Sequence, residues 1–150
     1  MNLTYNNILV AVDGSKEAEW AFKKSIEVSK RNHATLNLIH VIDTRSFATI
    51  EAYDYTIGER AEKYAKDLLE QYKKEAEAAG VKSVNVLVDY GSPKAIITKD
   101  AKSKVEADLI ICGATGLNAV ERFFIGSVSE HIVRSSTCDV LVVRTEKDFD

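Results

Sequence analysis

Five short runs of apolar, largely β-branched residues punctuate the chain: Asn7–Asp13, Leu36–Ile42, Val84–Val88, Ala107–Cys112 and Val140–Val143. They do not alternate apolar with polar. Near-continuous apolar runs of this length are expected of strands whose two sheet faces are both covered. The stretches between them have helical period instead. In the clearest, Ile57, Ala61, Ala65, Leu68, Tyr72, Ala76 and Ala79 step by three and four, leaving Glu62, Lys63, Lys66, Lys73 and Lys74 for water. Gly80 then supplies the left-handed residue that commonly stops a helix. Ser15 is placed to cap a first helix that turns Ala18, Phe22 and Ile26 inward, and Ser92-Pro93 reads as the start of a third. Strands alternating with helices predict a parallel sheet wound by right-handed crossovers, one three-layer α/β domain over residues 1–150 with helices on both faces. There is no linker and no internal repeat. From Asp43 to about Tyr55 the chain lacks a clear period yet carries Phe47, Ile50, Tyr53 and Tyr55. A connection of that length is either functional or a surface loop anchored by its aromatics.

Composition narrows the classes. The 150 residues carry 20 Lys and Arg against 23 Asp and Glu, a net charge of −3, with 45% hydrophobic and 29% charged residues. That is a globular composition, and its acidic balance argues against a nucleic-acid groove. No run approaches the roughly 18 apolar residues of a membrane span. Met1–Asn7 has neither the basic nor the apolar region of a secretory signal. Two cysteines, Cys112 and Cys138, make no disulfide framework and no four-ligand zinc site. A reduced, cytoplasmic protein without a membrane partner is the expectation.

The candidate chemistry lies after the fourth strand. Three of the seven glycines fall at Gly113, Gly116 and Gly126, followed by Ser127, where the chain re-enters a helix. Ligands of open α/β sheets bind outside the carboxyl ends of the strands, where strand order reverses. Glycines let amides turn toward an anion, and a helix start adds unpaired N–H groups and a positive dipole end. These features describe a phosphate cradle. Ser127-Val128-Ser129-Glu130 also reads as a capping box, in which Ser127 caps the helix and Glu130 reaches back. The first helix is a worse phosphate site, because Glu17 and Glu19 occupy its opening turns.

There is no G-x-x-x-x-G-K-[ST] loop, and no G-x-G-x-x-G follows the first strand. Arg122 is the only cation inside the glycine loop. A triphosphate held mainly by amides therefore calls for a divalent cation, with Asp13 as its outer carboxylate.

Gly113-x-x-Gly116, nine residues, then Gly126-Ser127 resembles the nucleotide-binding pattern of the universal stress protein family. The likeness runs through the chain: Ile8–Ser15 is similar to the family's opening strand, Ala107–Ile111 to its fourth, Ser127–Val133 to its last helix and Cys138–Val143 to its final strand. The resemblance implies a Rossmann-like, five-stranded parallel sheet in the order 3-2-1-4-5, with ATP across the switch point between strands one and four. On that likeness Val12 and Asp13 line the adenosine side, and Val41 meets adenine through its backbone. Gly113 and Gly116 lie under ribose and phosphates, and Gly126, Ser127, Val128 and Ser129 grip the phosphates. One departure is Thr115, where many members carry Arg or His before the second glycine.

The function implied is an ATP-binding regulatory protein of the stress response, with Mg²⁺ or with AMP in place of ATP. Rival readings are a slow ATP hydrolase, for which Arg122, Ser127 and Asp13 are present but no convincing general base, and an interaction module of the same fold that binds no nucleotide. A phosphoacceptor module built on Asp89 is disfavoured, since Gly14 follows Asp13 and Arg144 follows the fifth strand. His40 reads as hydrogen-bonded within the second strand, His131 as packing or solvent-facing, and His33 as complementing the end of the first helix. Cys112 reads as a small hydrophobe, and Cys138 as more exposed. Val140–Val143 contains neither proline nor lysine, so an unguarded edge predicts a two-fold dimer through that strand.

Overall fold

The computed structural model describes residues 3–43, 55–114 and 125–145. Five parallel strands lie in the order β3-β2-β1-β4-β5: β1 Asn7–Ala11, β2 Thr35–Asp43, β3 Val84–Gly91, β4 Leu109–Gly113 and β5 Asp139–Val143. Helices α1 (Lys16–Asn32) and α2 (Tyr55–Ala78) connect the first three strands. A short α3 (Pro93–Ala95) continues through a π-helical turn (Ile96–Ala101) into α4 (Lys102–Val105), and α5 (Ser127–Ser135) precedes β5.

Each strand divides its apolar side chains between two cores. Ile8, Val10 and Val12 join Leu36 and Leu38 beneath α1 and α2, where Phe22 meets Tyr72 edge-on with ring centroids 4.6 Å apart. Leu9, Ile39 and Ile110 face the other way, against Ile96, Ile97, Ala101 and Ile132. Both faces being covered accounts for the unbroken apolar runs.

Local signals set the helix ends. Ser15 Oγ accepts from Ala18 N at 3.1 Å and caps α1. Gly80 has φ +110°, past the end of α2. Pro93 opens α3, although Ser92 makes no side-chain capping bond. His33 takes the left-handed C-cap position of α1 after Lys30 and Arg31.

Several expected boundaries shift. β1 stops at Ala11, leaving Val12 and Asp13 in the turn beyond it, and β3 runs on to Gly91. β4 begins at Leu109, just after Asp108, whose carboxylate accepts from the amides of Asn6 (2.8 Å) and Asn7 (3.0 Å). In α2 the fully buried leucine is Leu69, not Leu68, and Ala79 is exposed past the helix end. Ala65, Tyr72 and Ala76 are buried as expected, and Leu68 packs half-buried beside Leu69 at the edge of the same face.

One polar group sits inside the sheet. Asn37, only 1% exposed, donates to the Ile8 carbonyl at 3.1 Å and accepts from Asn85 Nδ2 at 3.1 Å. The buried Asn37 amide thereby has partners on both sides, where an unpaired one is costly, and Asn85 supplies one of them from the exposed edge strand.

Candidate functional site

At the sheet's switch point, β1 feeds α1 on one face and β4 feeds α5 on the other, so the strand ends splay apart. A cavity of about 300 Å³ opens there. Asp13 and Ser15 after β1, and Gly126, Ser127 and Ser129 at the start of α5, supply its polar lining. Val41, Pro93, Ile97, Val128 and Ile132 supply its apolar lining. Small-molecule sites have this composition: an apolar slot with a few convergent polar groups.

Two helix N-termini face the cavity, and they differ. The α1 terminus is satisfied from within: Ser15 caps it, Asp13 Oδ1 accepts the Ser15 amide at 2.8 Å, and Glu17 and Glu19 occupy its first turn. The α5 terminus is open. Its N-cap is Gly126, and among the described residues no side chain caps it. Ser127 is therefore the first residue of the helix and not its cap, and the expected capping box does not form. Glu130 instead pairs with Arg134 one turn further on. The Ser129 hydroxyl donates to the Gly113 carbonyl, which ties the helix to the end of β4. Among the described residues, the leading N–H groups of α5 have no partner, and they and the positive end of the helix dipole lie at the cavity.

Glycine serves two different purposes here. A Cβ on Gly113 would lie 3.1 Å from the Glu17 carbonyl oxygen, so the absent side chain lets α1 approach β4. Gly126 has φ −62° and ψ 156°, which any residue adopts. Its contribution is the missing side chain at the helix start, not a special conformation. Gly126 N donates to Ala114 O at 2.8 Å, and Ala114 N to Val143 O at 2.9 Å, which fastens both ends of the glycine segment to the sheet.

Of the residues singled out in the sequence, Val12, Asp13, Val41, Gly113, Gly126, Ser127, Val128 and Ser129 all line this cavity. Gly116, Thr115 and Arg122 lie outside the described residues, as do residues 44–54 of the long connection. Among the described residues no lysine or arginine lines the cavity, and no cluster of three or more His, Cys, Asp or Glu is able to hold a metal. Asp13 is the carboxylate available to a cation that also binds phosphate oxygens, and its exposed position fits that use.

Sequence reasoning missed Pro93 and Ile97. Their separation of four residues at the start of the third helical segment is the signal that would have found them. His40 also lines the cavity, and its Nδ1 lies 2.8 Å from the Val12 carbonyl. His131 is not among the lining residues. Cys112 is buried, and burial pushes its thiol up to about 11 against a weaker opposing hydrogen bond with Ser129, so it remains a neutral, apolar wall. Asp89 pairs with Lys104 at 3.2 Å, away from the cavity.

A model of the universal stress protein family matches residues 4–144. A protein of Staphylococcus saprophyticus named as a universal stress protein is 57% identical over 145 residues, covering 97% of this chain and 87% of that one. The solved structure of universal stress protein UspA from Lactobacillus plantarum superposes with a TM-score of 0.77 at 30% identity, over 95% of this chain and 100% of that one. A family protein from Arabidopsis thaliana, solved with AMP bound, superposes with a TM-score of 0.68 at 20% identity, over 95% and 94% of the two chains. No helix among the described residues is long and apolar enough to cross a membrane.

Proposed function

The chain belongs to the universal stress protein family, and from that premise we propose that residues 1–150 form a domain that binds an adenine nucleotide at the β1/β4 switch point and acts as a nucleotide-dependent regulatory module of the stress response. The observation that carries this reading is the contrast between the two helix N-termini around one cavity. The closed, acidic terminus of α1 repels phosphate, and the uncapped terminus of α5 attracts it. In this reading the base lies against Val41 and the apolar lining, and Val12 and Asp13 border the adenosine. Gly113 and Gly116 lie beneath ribose and phosphates, and Gly126, Ser127, Val128 and Ser129 hold the phosphates. ATP is taken with Mg²⁺, for which Asp13 is the protein's carboxylate, and the ion supplies charge neutralisation between phosphate oxygens. AMP fits the same cavity with fewer demands, and the Arabidopsis relative of the same fold holds AMP.

The protein is proposed to work as a homodimer in the cytoplasm. β5 pairs only with β4 among the described residues and presents the half-buried Val140, Leu141 and Val142 at the sheet edge. Free Cys112 and Cys138 suit a reducing compartment. Equilibrium dialysis against ATP and AMP, with and without Mg²⁺, tests the central reading. Saturable binding in the micromolar range, about −8 kcal/mol, is the expected outcome. Absence of saturation up to low-millimolar nucleotide removes the proposal.

A further inference from the structure

In a parallel ladder alternate residues of a strand direct both backbone groups to the same neighbour. In β2 the residues facing β1 are odd-numbered: Thr35 N donates to Asn6 O at 2.9 Å, and Ile39 O accepts from Val12 N at 2.9 Å. Leu36, an even position, donates to Ser83 on the β3 side. The next rung of the β1–β2 ladder would join Val41 N to Val12 O. That rung is absent, although Val12 and Val41 both continue past the last paired residues, Ala11 and Ile39.

The Val12 carbonyl accepts from a side chain in place of the Val41 amide. His40 Nδ1 lies 2.8 Å from Val12 O. A carbonyl oxygen only accepts, so the imidazole proton sits on Nδ1 and the ring donates. The imidazole is steadied from behind by Tyr64, whose ring stands edge-on with centroids 5.9 Å apart. Val41 is left with an N–H and a C=O directed to the side on which β1 has ended, and it forms a wall of the cavity.

We infer that His40 is a positioning residue that ends the β1–β2 ladder one rung early, so that the Val41 amide and carbonyl remain available to read the edge of a bound base. Adjacent donor and acceptor groups on one extended residue complement an adjacent acceptor and donor, which is the arrangement of N1 and the 6-amino group of adenine. Hypoxanthine presents N1–H and a 6-oxo group, the inverse arrangement. The base-reading part of this inference rests on the nucleotide-binding proposal. The ladder part does not.

The test uses the full chain with His40→Phe, His40→Leu and His40→Asn. Amide hydrogen exchange at Val41 is measured by NMR without ligand, and AMP and IMP affinities are measured by calorimetry. In the two variants without a donor, Val41 is expected to close onto Val12 and its exchange to slow by about tenfold or more. His40→Asn keeps a side-chain N–H and is expected to retain fast exchange. The unaltered protein is expected to prefer AMP over IMP by at least about tenfold, with that preference falling to about threefold or less in Phe and Leu and persisting in Asn. A general loss of packing would weaken AMP and IMP together and would quicken Val41 exchange. Equal Val41 exchange in all variants overturns the ladder role, and an unaltered AMP preference in the Phe and Leu variants overturns the base-reading role. If the unaltered protein binds neither nucleotide, the nucleotide proposal fails, and the exchange comparison alone decides the role of His40 in the ladder.

Discussion

Glu130 pairs with Arg134, one turn further along α5, and not with the helix start behind it. That choice keeps a carboxylate away from the open amides of the cavity. Arg134→Ala releases Glu130 to turn back and cap the helix. Nucleotide affinity is then expected to fall about two- to fivefold, the scale of one charge at a helix terminus. Stability changes by less than about 0.5 kcal/mol, because both partners of the pair are exposed. Calorimetric titration with ATP and a urea melt read the two effects separately, and unchanged affinity would show that Glu130 does not turn back.

Gly126 has an ordinary backbone conformation, so a larger residue is accommodated without strain in the main chain. Gly126→Leu is expected to place its side chain over the amides at the start of α5 and to reduce nucleotide affinity by about tenfold or more. Its melting temperature should stay within a few degrees of the parent's. Tight nucleotide binding by a folded Gly126→Leu protein would contradict the proposed phosphate position.

Alkaline pH bears on Cys112. Its thiol is raised from 9.0 to about 11, mainly by burial, so folding favours the neutral form. A raised folded value means that the unfolded chain loses its proton first. The contribution is complete below pH 9 and is lost as pH rises through about 11. Cys112→Ala is expected to flatten the decline of stability across that window, by up to about 2 kcal/mol. Tyr72, raised to about 12 mainly by burial, and Tyr5 and Cys138, also raised, remain in both proteins and contribute the residual slope. Urea melts from pH 8 to 11 give the comparison, and parallel curves would remove the thiol as the cause.

The β5 edge is expected to form the dimer. Val142→Lys puts a charge on a half-buried edge position and should shift the protein to monomers in sedimentation equilibrium. Retention of the dimer would move the interface elsewhere on the surface.

What was legible in the sequence depended on distance along the chain. The Ser15 cap, the left-handed Gly80 and the Pro93 start are local devices whose causes lie within four residues. The strands were recognisable because burial on both faces leaves no polar alternation to hide them. Glu130 was misread because two local devices compete for one carboxylate. The residue three before it and the residue four after it are both suitable partners, and local spacing alone does not rank them. Leu68 and Leu69 are adjacent and equally apolar, so helical period alone does not decide which of them is fully buried. The partner of His40 lies 28 residues away, just past the end of β1, where one-dimensional periodicity carries no signal.

The Asn37–Asn85 pair has a consequence for how the sheet assembles. Apolar runs such as Leu36–Ile42 and Val84–Val88 look nearly alike when slid past each other by two positions, since greasy surfaces discriminate poorly between offsets. An offset of two would break the Asn85–Asn37 bond and take that donor from the buried Asn37 Oδ1, while the bond from Asn37 to Ile8 on β1 would survive. The pair therefore acts as an alignment mark between β2 and β3, favouring one offset among several that the aliphatic residues barely tell apart.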